Sequence, residues 1–94
     1  MPYLYTFSYS SSKEDSPDAL LQEKPFLRRF MPFDTITVVT VGTAVTIYIN
    51  GDPNQLLYVK ADDTQTFTEL RARGWNVILS GAGTVRLICQ KTKV

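Results

Sequence analysis

The sequence predicts an all-β fold: a compact antiparallel β-sandwich or barrel, jelly-roll-like, of six to seven strands, preceded by an extended N-terminal arm. Three observations carry this. Residues 35–51 contain no charged side chain and are dominated by β-branched residues. Ten of the eleven threonines and all five glycines lie beyond residue 33, whereas four of the five prolines lie before it. Beyond that point the chain reads as short alternating runs separated by turn residues, with no helical periodicity, which argues against a parallel βαβ architecture.

The elements follow in order. Tyr3, Tyr5, Phe7 and Tyr9 occupy every second position, so an extended segment places their rings on one face. Residues 10–15 are polar and loop-like. Ser16 is a fitting helix cap and Pro17 a fitting first helical residue, predicting a short helix over 17–24 that Pro25 ends. Pro25 to Phe33 then reads as an extended lead into the sheet region. Thr35–Val41 and Thr43–Asn50 are alternating strands joined by a tight Val41-Gly42-Thr43 connection. Asn50-Gly51-Asp52-Pro53-Asn54 is a turn, because Asn-Gly accepts positive φ and proline cannot continue a ladder. Gln55–Lys60, Thr64–Leu70, Trp75–Leu79 and Thr84–Gln90 complete the set, the last two joined by a Ser80-Gly81-Ala82-Gly83 hairpin. Two regions result: an arm and linker at 1–32 and a sandwich at 33–94.

Composition narrows the function. Ten Lys plus Arg against nine Asp plus Glu leave a net charge of +1, too weak a field to steer nucleic acid or an anionic membrane. With no histidine the commonest general base and metal ligand is missing, and a single cysteine allows no internal disulfide or thiolate cluster. The first fifteen residues have no apolar centre of a signal peptide. No phosphate loop or nucleophile–base pair occurs, so the expectation is a non-enzyme with no cofactor and no small-molecule substrate.

Individual residues are weighed on the same terms. The aromatic stripe at 3–9 is either one more strand of the sandwich or an arm that adds to a neighbour's sheet. As a stacking platform it lacks interleaved basic residues. Arg28-Arg29 and Arg71 with Arg73 are the basic clusters, either solvated or paired across a subunit contact. Asp52, Asp62 and Asp63 fall in turns without the spacing of a calcium loop. Cys89 sits on the apolar face of the last strand as a small buried residue, and Trp75 opens its strand as a core or corner residue.

Three stretches together carry a resemblance: Phe33-Asp34-Thr35-Ile36-Thr37-Val38-Val39, Val45-Thr46-Ile47-Tyr48-Ile49-Asn50-Gly51-Asp52, and Gly74-Trp75 through Gly81-Ala82-Gly83-Thr84-Val85-Arg86-Leu87-Ile88. This style of sequence, over about residues 33–90, resembles small all-β virion structural proteins of bacteriophages: minor capsid, decoration, spike or tail-attached modules. The resemblance implies protein–protein assembly on a particle, with capsid or tail subunits and copies of itself as partners. It implies residence in the virion after synthesis in the host cytoplasm, and it brings no catalytic residues. Tyr3, Tyr5, Phe7, Tyr9, Arg28 and Arg29 are the expected partner-binding residues, and an arm lacking residues 2–9 is expected to leave a folded body. The alternative is a carbohydrate-binding β-sandwich module of a receptor-binding or secreted protein, presenting Trp75, Tyr48 or Tyr58 on one face.

Overall fold

The computed structural model describes residues 3–92, with only the backbone of Tyr3. Its strands are β1 Tyr3–Tyr9, β2 Lys13–Asp15, β3 Thr35–Val41, β4 Val45–Ile49, β5 Leu56–Val59, β6 Thr64–Phe67, β7 Trp75–Leu79 and β8 Thr84–Lys91. Between β2 and β3 lie helix α1, Pro17–Glu23, and a 3-10 helix, Pro25–Arg29. Two four-stranded antiparallel sheets result, with orders β1-β8-β3-β6 and β2-β7-β4-β5.

The pairing is nested. β1 pairs with β8, β2 with β7, β3 with β6 and β4 with β5, while β3–β8 and β4–β7 contacts close the two sheets. Only β4–β5 is a local hairpin; every other connection crosses from one sheet to the other. The Ser80–Gly83 segment is therefore a crossing loop and not the hairpin expected from its glycines. Gly83 is needed there because a Cβ would run into the Val41 carbonyl oxygen of the β3–β4 crossing. The Asn50-Gly51 turn forms as expected, at φ 56° and 71°.

The core lies between the sheets. Ile36, Val38, Val45, Ile47, Val77 and Leu87 all point inward at no more than 1% exposure, which follows from the period-2 alternation of their strands. Phe7 packs edge-on against Phe33 and against Trp75, the latter with centroids 4.9 Å apart, and the Phe33 and Trp75 rings lie tilted to each other.

The N-terminal region corrects the expected arm. β1 runs in full register with β8, from Tyr3 opposite Lys91 to Tyr9 opposite Val85. Its inward side chains Phe7 and Tyr9 are buried, and Leu20 of α1 and Leu27 of the 3-10 helix reach 1% and 0% exposure in the same core. The arm-and-body division at residue 33 thus has no counterpart in the packing, since residues 3–33 supply one strand of each sheet and close the core. The physical reason is direct. Rings that find partners within their own chain gain their burial without the cost of association. Helix α1 begins at Pro17 with the Ser16 hydroxyl accepting from the Ala19 N–H, as expected; Pro25, however, starts a 3-10 helix where an extended lead was anticipated.

Candidate interaction surface

The side chains expected to bind a partner separate into two groups. Tyr5 is half-buried, Phe7 and Tyr9 are core residues, and the Tyr3 side chain lies outside the described residues. Arg28 and Arg29 are exposed in the last turn of the 3-10 helix. One link between the two groups exists: the Tyr5 ring packs edge-on against Phe26 at 5.5 Å and Phe30 at 6.2 Å. Phe26 remains half exposed beside Arg28 and Arg29.

Tyr9 and Trp75 carry polar groups into the core and satisfy them there. The Trp75 indole Nε1–H donates to the Tyr9 hydroxyl at 2.7 Å, and that hydroxyl donates to Asp15 Oδ2 at 2.5 Å. Lys13 Nζ approaches the other carboxylate oxygen at 3.4 Å. Burial and the neighbouring carboxylate push the Tyr9 phenol well above its ordinary range. Trp75 is only 1% exposed, so it is not available as a ligand platform. Every member of this chain has its partner inside the protein, and the arrangement locks β1, β2 and β7 together.

The aspartates are turn ties. Asp52 accepts from the Asn54 N–H and the Gln55 side-chain amide. Asp62 accepts from the Gly42 N–H at 2.9 Å, bracing two crossings. Asp63 accepts from the Gln65 amide, a bond that holds its carboxyl below the usual range. Among the described residues no set of three or more Cys, Asp or Glu converges as a metal site. Cys89 is buried and its thiol is pushed far up by that burial, which makes it a poor nucleophile.

What remains is the outside of the sandwich. Register and alternation put Leu4, Thr6 and Ser8 of β1, Thr84, Arg86, Ile88 and Gln90 of β8, Thr35, Thr37, Val39 and Val41 of β3, and Thr64 and Thr66 of β6 on the outer face of the first sheet. Arg86 is the only charge among them. Thr37 and Thr66 share a hydroxyl–hydroxyl bond of 3.0 Å across the β3–β6 pair. The second sheet turns Glu14, Asn76, Ile78, Thr46, Tyr48, Leu56 and Tyr58 outward. Here Leu56, Tyr58 and Ile78 are exposed by 48%, 58% and 39%, forming an apolar patch with one charge, Glu14, at its edge. Among the described residues the remaining charges sit in loops, at the strand ends and on the helical connection. These faces were not singled out from the sequence, although the uncharged 35–51 stretch and the alternation of 84–90 were already their signal.

No family model, curated protein or solved structure matches this chain.

Proposed function

We propose that this chain is a non-enzymatic structural protein of a viral particle, of the phage decoration, minor capsid or tail-attached kind, working through protein–protein contacts. The observation that carries the reading is the strand order. Eight strands paired first-to-last across two four-stranded sheets support a reading on the double-sheet jelly-roll plan used by viral capsid domains and also by lectins and cupins. A fold alone does not give a function. The second support is the pair of outward faces almost free of charge, because depletion of charged residues marks the centres of protein contacts. The chain's lack of histidine and the buried, proton-holding thiol of Cys89 favour this reading over a catalytic one. Virion proteins, including other copies of this chain, are the partners in this reading, and the virion is its location.

The test is density-gradient sedimentation of particles from cells replicating the genome that encodes the chain, with mass spectrometry across the gradient. The chain is expected in the particle band at a fixed ratio to the major shell protein. Recovery only from the soluble fractions overturns the proposal.

One observation favours a second reading, a carbohydrate-binding module: Tyr58 and Tyr48 stand on one outward face with Thr46 beside them. A glycan array checks it. Binding lost in Tyr58→Ala would support the sugar reading, and no binding by the intact chain would exclude it.

A further inference from the structure

We propose that the outer face of the first sheet is a contact between two copies of this chain, packed face to face about a twofold axis near Thr37 and Ile88. The proposal goes beyond the particle reading by naming the surface, and the contact forms in free solution.

The chemistry of the face suits its own copy. A twofold contact sets each group against the same surface, so the groups must tolerate their own kind. A hydroxyl both donates and accepts and can therefore bond another hydroxyl, whereas carboxylate and ammonium faces repel. Six threonines and a serine populate this face, and the Thr37–Thr66 bond shows the pairing within one copy. Ile88, Val39 and Leu4 add apolar area between them.

The size is adequate. Strands of seven, eight, seven and four residues at ~3.4 Å each, set ~4.8 Å apart, give a face of roughly 420 Å² in projection. Side-chain relief raises the accessible area toward the ~800 Å² per partner of a standard interface. Arg86 sits two residues along β8 from Ile88, so an axis over Thr37 and Ile88 sets the two Arg86 backbones about 14 Å apart along the strands, with room for their side chains to point away from each other.

The test uses the whole chain. Sedimentation velocity across a concentration series is expected to show a reversible dimer, with Thr37→Lys raising the dimer dissociation constant about tenfold or more. Thr66→Lys, at an exposed position of an edge strand, is the second variant should Thr37→Lys lose its native circular dichroism. Thr46→Lys, on the other sheet, is expected to leave the dimer unchanged. A chain that stays monomeric throughout overturns the contact, as does a dimer broken by Thr46→Lys and not by the other two. Either result leaves the particle-sedimentation test standing on its own.

Discussion

Tyr9→Phe tests whether the Trp75–Tyr9–Asp15 chain holds β1 in the sandwich. The substitution keeps the ring in its buried place and removes one oxygen. That oxygen makes two bonds, accepting from Trp75 at 2.7 Å and donating to Asp15 at 2.5 Å. Losing a hydrogen bond to a charged group costs about 1.5–3 kcal/mol, and leaving the indole N–H buried without an acceptor costs about 1–3 kcal/mol. The sum, about 2.5–6 kcal/mol, is a large share of the roughly 5–14 kcal/mol available to a chain of this length. At about 4–8 °C per kcal/mol the melting temperature should fall by at least roughly 10 °C and by as much as roughly 50 °C. Urea unfolding followed by the fluorescence of Trp75, the chain's single tryptophan, measures the loss directly. A cycle with Asp15→Ala, which removes the acceptor, then isolates the pair, and a coupling of about 1 kcal/mol or more is expected. A Tyr9→Phe cost below about 1 kcal/mol with no coupling would refute the claim that these bonds hold the strand.

Three further outcomes are expected. Deleting residues 2–9 removes Phe7 and Tyr9 from the core, at about 3–5 kcal/mol for each large aromatic, so circular dichroism should show an unfolded chain; a folded truncation would restore the separate arm. Burial raises both the Cys89 thiol and the Tyr9 phenol, so each binds its proton more tightly when folded. Stability should hold below the ordinary thiol value of 9.0 and then fall by about 1.4 kcal/mol per pH unit, with the slope doubling above 10.0. Urea midpoints across that range check it, and Cys89→Ala should erase the first decline. Gly74→Ala would place a Cβ 2.6 Å from the Asp15 carbonyl oxygen and the Pro17 nitrogen, both backbone atoms, and thermal melting should show a loss of about 1–3 kcal/mol.

The all-β class, the start of α1 and the bounds of β3 and β7 were legible because they rest on local rules. Alternation, capping by Ser16 and the positive φ open to Asn50-Gly51 act within a few residues. β2 was not legible. Lys13-Glu14-Asp15 has the composition of a loop, and only its pairing with β7 and the burial of Asp15 under Tyr9 make it a strand. The Ser80–Gly83 hairpin failed for a related reason, since turn chemistry does not say whether the next strand joins the same sheet. The aromatic stripe fitted an internal strand and a donated arm equally, and the choice depended on β8, more than seventy residues away in the chain.

The outward faces pose a different question, because folding does not require them to be uncharged. An exposed position on a sheet accepts lysine or glutamate at little cost to a monomer, and natural sheets use such charges to keep edges and faces from sticking. β2, an edge strand, follows that practice with Lys13 and Glu14 exposed. The broad face of the first sheet does not: along β1 and β3 every outward residue is uncharged, although inward and outward positions alternate and only the inward ones serve the core. Burial within the chain accounts for Ile36, Val38 and Phe7, and strand propensity accounts in part for threonine and valine at 35, 37, 39 and 41. What strand propensity leaves open is a whole face with Arg86 as its one charge, and in the proposed reading that absence answers to the partner the face meets.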